Sequence, residues 1–332
     1  MNLQIVVYGL GPIGLEILKK CEEQLPGKVI GAVDIDPSKI GKDIGVLTGG
    51  KHRDVPVVSS IQQIEAQTEL PLVAIHATSS HLPSVWPQIK ELLSLGYHVV
   101  STCEELSYPW TRYPELSKEI DAYAKEMNRG VIGTGVNPGF VMDTLTMTIT
   151  SVVSEIYSIR VMRRVDVTKR RLPLQKKVGV GKSVEEFNQL AERDQIGHVG
   201  LEESLRLLAA GLHLDVRKVT NTIEPTITPK AVQLSSFSLQ AGQVNGLHQT
   251  SIATTVNNQQ IELDLIMATD MISEDRIEIK GDMNINLVIP EGIFGDSATA
   301  SIIINMTKAM AAQQSFGLLT MKDMMFVRYT SA

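Results

Sequence analysis

A glycine-rich turn near the start of the chain follows directly on an apolar run and leads into a helical pattern. Residues 3–8 read LQIVVY, an apolar, β-branched run typical of a buried parallel strand. The next six residues read GLGPIG, and the apolar residues after Gly14 recur at helical spacing. A second apolar run, residues 28–33, ends on Asp34, about twenty residues beyond the last glycine. Strand, glycine turn, helix and strand in this order predict an α/β fold with a doubly wound parallel sheet.

Each glycine of the turn has a separate physical task. Gly9 permits the tight turn, Gly11 lets the backbone approach a pyrophosphate, and Gly14 lets the helix pack closely on the strand. Pro12 and Ile13 begin the helix, whose N-terminus offers unpaired N–H groups and the positive end of a dipole. The turn therefore predicts a Rossmann dinucleotide site; the alternative is a glycine-rich turn that binds nothing.

Charged residues after the second strand bear on which dinucleotide binds. Asp34 is placed to accept hydrogen bonds from the adenosine ribose hydroxyls, an arrangement that favours NAD. Ser38 and Lys39 follow closely, and either could meet the 2′-phosphate of NADP. The sequence thus predicts NAD or NADP as the cofactor and leaves the use of both open.

Length and charge narrow the class of protein. The chain has 332 residues, enough for two domains, and its net charge of −6 offers no electrostatic footprint for nucleic acid. Cys21 and Cys103 are too few for a disulfide framework, which fits a reducing cytoplasm. A strand that begins at residue 3 leaves no room for a signal peptide, and no apolar run reaches the ~18 residues of a membrane helix. We expect a cytoplasmic protein without nucleic-acid or membrane partners.

Three segments with different patterns predict the domain organisation. Strands and helices alternate through residues 1–139, the predicted dinucleotide-binding domain. Residues 140–297 predict an α+β substrate and dimerisation domain with a mostly antiparallel sheet, in which Asn257-Asn258 marks a hairpin turn. Residues 298–332 begin with a small, apolar helix, and we expect this helical segment to pack back on the first domain.

Small polar residues follow the strand predicted at residues 70–77. In a doubly wound sheet, ligands bind outside the carboxyl ends of the strands, near the point where the strand order reverses. Thr78 and Ser79 are therefore expected to border the nicotinamide ribose. His81 could also contact the cofactor, or it could be a surface histidine at the start of the next helix.

Two adjacent carboxylates follow the next predicted strand, where a nicotinamide ring would lie. Thr102 and Cys103 are expected to border the cofactor, and a carboxylate near the reactive ring carbon can serve as a general base. A capping box would explain the same residues structurally, with Thr102 paired to Glu105 and Glu104 left for chemistry. We favour Glu104 over Glu105 as the base. A nucleophilic Cys103 is disfavoured because no histidine lies near it in the sequence.

The chain leaves the first domain through a turn that Pro138-Gly139 enforces. Asn137, just before it, can donate to and accept from a carboxamide or a substrate oxygen, or it can serve only to shape the turn. Beyond this turn the pattern predicts a helix over residues 142–152 and an alternating strand over residues 156–167.

Basic residues cluster at positions 160–177 of a chain that is acidic overall. Arginine binds a carboxylate through two parallel N–H donors, so this segment could hold an anionic group of a substrate. Alternation along the predicted strand sends Arg163 to one face and Arg164 and Asp166 to the other. No spacing of His, Cys, Asp and Glu resembles a metal site, so no metal is expected.

Six motifs distributed over nearly the whole chain resemble one enzyme family. They read VVYGLGPIG, AVDIDPSKIGKDIG, STCEELSYP, GTGVNPGFVMDTL, RRLPLQKKVGVG and GDSATASIIIN. Together they resemble 2,4-diaminopentanoate dehydrogenases and the related native amine dehydrogenases, whose nucleotide domain is like that of dihydrodipicolinate reductase. The resemblance implies NAD(P)-dependent oxidative deamination of an amine, or reductive amination of a carbonyl with ammonia. It also implies homodimers joined through the C-terminal sheet.

The same resemblance implies roles for individual residues. The family's catalytic glutamate falls in STCEEL and corresponds to Glu104. Phe140 would form a wall of the substrate pocket, and Asp143 or Asp166 would suit a cationic substrate. Arg163 would hold the carboxylate of a diamino acid, whereas a simple alkyl amine would need an apolar pocket instead.

Two other functions stay open at this point. One is an NAD(P)-dependent reductase or dehydrogenase of another small substrate, such as an amino acid or a cyclic imine. Dihydrodipicolinate reductase itself matches poorly, because its paired-histidine motif with a nearby lysine is absent. The other is a non-catalytic NAD(P)-binding redox sensor, in which the paired carboxylates would have no chemical task.

Overall fold

The glycine-rich turn joins the first strand and the first helix of a seven-stranded parallel sheet in the computed structural model. The structure describes residues 2–67, 69–168, 170, 172–234, 238–312 and 314–324. Lys169 and Arg171 of the basic cluster, and residues 325–332 of the C-terminal segment, lie outside the described residues.

The helices are α1 (Pro12–Gln24), α2 (Ile44–Leu47), α3 (Leu82–Ser94), α4 (Pro114–Glu126), α5 (Thr144–Ile149), α6 (Leu172–Lys177), α7 (Val184–Ala191), α8 (Leu201–Gly211) and α9 (Gly295–Ala311). The strands are β1 (Gln4–Tyr8), β2 (Val29–Val33), β3 (Val57–Val58), β4 (Leu72–His76), β5 (His98–Ser101), β6 (Gly130–Gly133), β7 (Ile156–Asp166), β8 (Val216–Ile227), β9 (Val232–Gln233), β10 (Ser238–Leu239), β11 (Val244–Thr255), β12 (Gln260–Ala268), β13 (Glu274–Gly281), β14 (Ile285–Pro290) and β15 (Gly317–Leu319).

Two compact units divide the chain: residues 1–140 with residues 294–332, and residues 141–293. In the first unit the strand order is β15-β6-β5-β4-β1-β2-β3, and every neighbouring pair is parallel. The apolar strands are buried on both faces, as parallel strands covered by helices must be. The predicted doubly wound parallel sheet is confirmed.

The C-terminal segment adds more than the expected helix to the first unit. Helix α9 packs against α1, β4 and β5. Strand β15 then pairs with β6 and becomes an edge strand of the sheet. Sequence reasoning missed β15 because a three-residue strand is too short to show a periodic pattern.

The second unit contains a six-stranded sheet in the order β14-β13-β7-β12-β11-β8. Its β7–β12 pair is parallel, and its other neighbouring pairs are antiparallel. A tight turn with Asn258 at φ +62° joins β11 to β12, as predicted. Helix α8 packs on β8, β11 and β12, and α7 packs on β8. The predicted α+β architecture is therefore observed.

The helix predicted over residues 142–152 is shorter in the structure. Helix α5 covers Thr144–Ile149, and a turn of 3₁₀ helix covers Thr150–Val152. Asp143 sets the start, because its carboxylate accepts a hydrogen bond from the Thr144 N–H and so caps the helix.

Candidate active site

The glycine turn leaves open space where a phosphate would lie. Gly9 has φ +93°, and a Cβ there would come within 2.6 Å of a backbone carbonyl oxygen. A Cβ on Gly14 would lie 1.9 Å from the Gly9 carbonyl oxygen, whereas a Cβ on Gly11 would meet nothing within 4 Å. Gly11 is the N-cap residue of α1, and Pro12 and Ile13 form the first turn. The turn thus combines two sterically required glycines with an unobstructed helix N-terminus, which fits a pyrophosphate.

Asp34, just beyond β2, is bonded to the glycine turn. Its Oδ2 accepts from the Leu10 N–H at 2.7 Å, and its Oδ1 accepts from the Asp36 N–H at 2.8 Å. The Lys39 ammonium lies 3.3 Å from both Asp34 Oδ2 and Asp36 Oδ2. Hydrogen bonds from Ser38 and Lys39 lower the pKa of Asp36. The predicted ribose and 2′-phosphate residues therefore form one hydrogen-bonded group beside the turn.

Ile35 belongs to this edge of the sheet and was missed by sequence reasoning. Its side chain is 86% exposed, an unusual state for an isoleucine directly after a buried strand. A signal was available, because Ile35 stands between two aspartates in the stretch after β2. Its side chain offers exposed apolar surface next to Asp34 in the chain.

The carboxyl end of β4 carries a hydrogen-bonded polar group. His76 is fully buried, with Nδ1 3.0 Å from Ser101 Oγ and Nε2 2.8 Å from Gln88 Oε1. Thr78 Oγ1 lies 3.0 Å from His76 Nε2 and donates to Gln88 Oε1 at 2.8 Å. The predicted cofactor residue Thr78 is thus positioned by a buried histidine. Ser79 lies next in the same loop. Its Oγ accepts a hydrogen bond at 3.3 Å from the N–H of His81, the N-cap residue of α3.

The segment after β5 folds differently from the capping box considered above. A short 3₁₀ helix covers Glu104–Ser107, its N-cap residue is Cys103, and no side-chain cap forms. Burial raises the pKa of the Cys103 thiol, whose Sγ contacts the Ser80 carbonyl oxygen at 3.2 Å. We therefore withdraw the Cys103 side chain as a cofactor contact, because it points into the core. Thr102, whose N–H bonds to the last residue of β4, stays a candidate.

The two adjacent glutamates have different surroundings. Glu104 opens the 3₁₀ helix and is partly buried. Glu105 is only 3% exposed, and its carboxylate accepts from the Leu82 N–H at 2.8 Å and the Tyr113 hydroxyl at 2.9 Å. His81 Nδ1 lies 3.1 Å from Glu105 Oε1. Glu105 thus has a structural environment that includes His81, and Glu104 stays the predicted base.

The turn that carries Glu104 rests directly on β6. A Cβ on Gly133 would lie 2.6 Å from the Leu106 carbonyl carbon and 2.7 Å from the Ser107 nitrogen. Gly133 is therefore required for this close approach, a role that sequence reasoning missed. The signal was the first glycine of the motif GTGVNPGFVMDTL, which directly follows an apolar run.

The loop after β6 is held in place by α9. The Val136 N–H donates to Thr299 Oγ1 at 3.2 Å. Gly139 has φ +124°, and a Cβ there would lie 2.5 Å from the Gly135 nitrogen. Asn137 is 8% exposed in this loop, and Phe140 is partly buried at its end. Both stay predicted contacts of the cofactor or substrate.

Three predicted substrate residues lie in the second unit, and two of them have local structural roles. Asp143 is fully buried and accepts from the Thr144 N–H at 2.6 Å and the Ser204 hydroxyl at 2.6 Å. Asp166 accepts from the Thr168 N–H at 2.9 Å and from its hydroxyl at 2.5 Å. We withdraw both as partners of a cationic substrate, because their carboxylates cap a helix start and a turn.

Arg163 is the third, and the structure gives it a different partner. Its side chain is 4% exposed, and Nη1 donates to both oxygens of Asp275 at 3.0 and 2.9 Å. Nη2 donates to the Ile293 carbonyl oxygen at 2.8 Å. The predicted alternation of faces is correct, but the predicted carboxylate clamp is withdrawn because a protein carboxylate already occupies the guanidinium.

The described residues offer neither a metal site nor a membrane span. Among them there is no group of three or more His, Cys, Asp and Glu side chains able to hold a metal ion. Within the same residues, every helix is too short or too polar to cross a membrane.

Comparison with known proteins identifies the family of this chain. Residues 140–331 match the family model described as the 2,4-diaminopentanoate dehydrogenase C-terminal domain. The 2,4-diaminopentanoate dehydrogenase of Acetoanaerobium sticklandii is 28% identical over 97% of this chain and 93% of its own. The 4-hydroxy-tetrahydrodipicolinate reductase of Thermosynechococcus vestitus is 28% identical over 42% of this chain and 48% of its own.

Solved structures show the same fold. The amine dehydrogenase from Mycobacterium smegmatis superposes with a TM-score of 0.87 at 23% identity, over 100% of this chain and 98% of that chain. GenD2 from gentamicin A biosynthesis, solved in complex with NAD, superposes with a TM-score of 0.53 at 14% identity over 86% and 72% of the two chains.

The doubly wound sheet with its glycine cradle, together with relatives that are dehydrogenases, defines an oxidoreductase that uses a nicotinamide cofactor. Within that class, the family model that matches residues 140–331 identifies one family. The chain belongs to the 2,4-diaminopentanoate dehydrogenase family.

Proposed function

We propose that the protein is an NAD(P)-dependent amine dehydrogenase. It oxidatively deaminates a primary amine or a diamino acid, and in reverse it aminates a ketone or aldehyde with ammonia. One observation carries the proposal: Glu104 opens the turn after β5, and in the sheet only β4 separates β5 from β1 and its glycine turn. Two strand spacings are about 10 Å, a suitable separation for a nicotinamide ring and its pyrophosphate.

The residues present fit the cofactor. The unobstructed N-terminus of α1 would hold the pyrophosphate, Asp34 and Ile35 would meet the adenosine, and Thr78 would border the nicotinamide ribose. Lys39, beside Asp34, would meet a 2′-phosphate, so NADP use is included in the proposal. Bound there, this cofactor would supply the hydride acceptor for deamination and the hydride donor for the reverse reaction.

Glu104 moves the protons of the reaction. In deamination its carboxylate takes a proton from the substrate ammonium, and loss of a hydride from the adjacent carbon then gives an iminium. After releasing that proton to solvent, Glu104 takes a proton from the water that attacks the iminium carbon. Ammonia leaves as the carbonyl forms. The amine carbon is oxidised by two electrons, one water is consumed and one ammonia is released.

The sheet of the second unit supports a homodimer. Its alternate rows Thr222–Thr250–Asp264–Met162–Arg276–Val288 and Glu224–His248–Ile266–Arg164–Glu274–Pro290 share one face. Most of these side chains are partly exposed, while the other face lies under α7 and α8. We propose that a second copy of the chain packs on this face.

The state of the two thiols bears on the location of the protein. Both cysteines are buried and free, which is compatible with a reducing compartment, and we propose the cytoplasm.

A spectrophotometric screen tests the proposed reaction. Small ketones and aldehydes are offered with NADH or NADPH, with and without ammonia, and amines and diamino acids are offered with NAD or NADP. We expect turnover of the carbonyl compounds to require ammonia. Turnover without ammonia would indicate instead a reductase of another substrate, and tight cofactor binding with no turnover would indicate a sensor.

The Glu104→Gln variant tests the base. We expect a loss of kcat of at least about 1,000-fold. The dissociation constants for NAD and NADP, measured by quenching of protein fluorescence, should stay within about twofold, because the cradle does not depend on this side chain. Wild-type kcat in this variant would refute the assignment of Glu104.

A further inference from the structure

Glu105, the neighbour of Glu104, is more extensively bonded than a helix cap requires. A single serine or aspartate oxygen suffices to cap a helix start. Glu105 instead accepts from the Leu82 N–H and the Tyr113 hydroxyl through Oε2, and it lies 3.1 Å from His81 Nδ1 through Oε1. A buried carboxylate is costly without such partners, so three donors around one buried group indicate a position under strong constraint.

The donors belong to the elements that border the candidate site. Leu82 is the first residue of α3, and His81 ends the loop after β4 in which the cofactor residues Thr78 and Ser79 lie. Tyr113 is the N-cap residue of α4. Glu105 therefore connects the turn that carries Glu104 to the loop expected to border the nicotinamide and to a second helix.

Backbone and thiol contacts reinforce the same junction. The Ser80 carbonyl oxygen accepts from the Glu105 N–H at 3.3 Å and contacts Cys103 Sγ at 3.2 Å. On its other side, the turn meets Gly133, where a side chain would not fit. The turn is thus fixed on two sides, and Glu105 supplies its side-chain link to the β4–α3 loop.

We propose that Glu105 is a positioning residue, which holds the Glu104 carboxylate in register with the loop that borders the nicotinamide. The inference rests on the proposed function, since it needs Glu104 as the base. Misplacement of a catalytic group by about 1 Å costs about 100-fold in rate, so a link of this kind affects turnover strongly.

Kinetics of Glu105→Gln test the proposal. Glutamine keeps the shape of the side chain, and its oxygen can replace Oε2 as the acceptor for the Leu82 N–H. Its NH₂ group then replaces the Oε1 acceptor beside His81 Nδ1, and the buried negative charge is lost. We expect kcat per folded enzyme to fall by about 10- to 100-fold, while KM for the amine changes by less than about threefold. Tyr113→Phe removes one donor and should reduce kcat by about two- to tenfold.

Asp121→Asn serves as the matched control. Like Glu105, Asp121 accepts one hydrogen bond from a backbone N–H, that of Leu318 at 3.0 Å, and one from a side chain, that of Lys125 at 2.7 Å. It lies on α4, away from the carboxyl ends of the strands that border the candidate site. We expect this variant to lower Tm without changing kcat.

The outcomes separate this inference from the proposed function. Wild-type kcat in Glu105→Gln, with a lowered Tm and an inactive Glu104→Gln, would show that Glu105 is only a helix cap and would overturn the inference. Wild-type kcat in Glu104→Gln would overturn the proposed base itself. If Glu105→Gln does not fold, Tyr113→Phe decides: reduced kcat supports positioning, and unchanged kcat refutes it.

Discussion

His76 illustrates what burial does to one side chain. It has no exposed surface, and burial lowers its pKa from the ordinary 6.5 to about 4. The neutral ring can form hydrogen bonds with both neighbours. Nε2 can donate to Gln88 Oε1 while Nδ1 accepts from the Ser101 hydroxyl. The unfolded chain takes up a proton below pH 6.5 and the folded chain resists it until about pH 4, so stability falls across that interval.

A His76→Gln variant tests this linkage. Between about pH 7.5 and about pH 5, the wild-type free energy of unfolding should decrease by about 2 kcal/mol more than that of the variant. Urea denaturation at the two pH values measures the difference. His52→Gln is the control, because the His52 side chain is 64% exposed. An equal pH dependence in wild type and His76→Gln would contradict the expectation.

Lys39 is predicted to set the cofactor preference. Its ammonium lies beside the Asp34 and Asp36 carboxylates, where it offsets negative charge that would repel a 2′-phosphate. Lys39→Ala should weaken NADP binding by about tenfold relative to NAD. Calorimetric titration of both cofactors measures the ratio. An unchanged ratio would show that Lys39 serves only as a counter-ion of Asp34.

At the scale of elements, close backbone contacts decide where the candidate base lies. Sequence reasoning placed Glu104 at the carboxyl end of a strand, because apolar runs and the residues after them are visible in a linear pattern. It could not show that β6 and the Glu104–Ser107 turn touch, since that contact joins residues about 25 positions apart in the chain.

Gly133→Ala tests that contact. The added Cβ would lie 2.6 Å from the Leu106 backbone, so the turn must shift. We expect a loss of about 1–3 kcal/mol in stability and a reduced kcat, with cofactor binding preserved. Gly50→Ala is the control, since its Cβ would meet no atom closer than 3.6 Å. Full activity in Gly133→Ala would refute the argument.

The salt bridge between Arg163 and Asp275 joins β7 to β13. Replacing Arg163 with Met leaves a carboxylate buried without its partner, so we expect a loss of about 3–5 kcal/mol in the free energy of unfolding. The KM for a diamino acid relative to a simple amine should not change. Arg193→Met, at an exposed position just after α7, should be nearly neutral. A selective rise in the diamino acid KM would reinstate Arg163 as a substrate clamp.

At the scale of the whole molecule, the first unit is completed from both ends of the chain. Helix α9 and β15 come after the entire second unit, yet they pack on β4 and β5 and pair with β6. Residues 1–140 alone therefore lack an edge strand and a covering helix. The first unit therefore needs contacts between residues far apart in the chain, which are slow to form compared with local ones.

The proposed dimer makes a further prediction at this scale. Ile266→Glu adds a charge in the middle of the open face of the second sheet, where burial by a second copy would be costly. We expect a dimeric wild type and a monomeric variant by light scattering coupled to size exclusion. Val256 lies in the hairpin turn and is 58% exposed, so Val256→Glu should leave the dimer intact. A monomeric wild type would refute the proposal.

The sequence by itself determined the local features of this protein: the glycine turn, the strand and helix periodicities, the face that each strand residue occupies, and the position of Glu104 at a strand end. Each of these depends on residues close together in the chain. Tertiary structure alone decided which charged groups were already paired. Arg163 meets Asp275 across 112 positions and Asp143 meets Ser204 across 61, and such partners are set by strand register and helix packing rather than by local pattern. The sequence could not show the hydrogen bonds of Glu105 for the same reason. Only the fold brings Leu82 and Tyr113 to this one of the two adjacent glutamates.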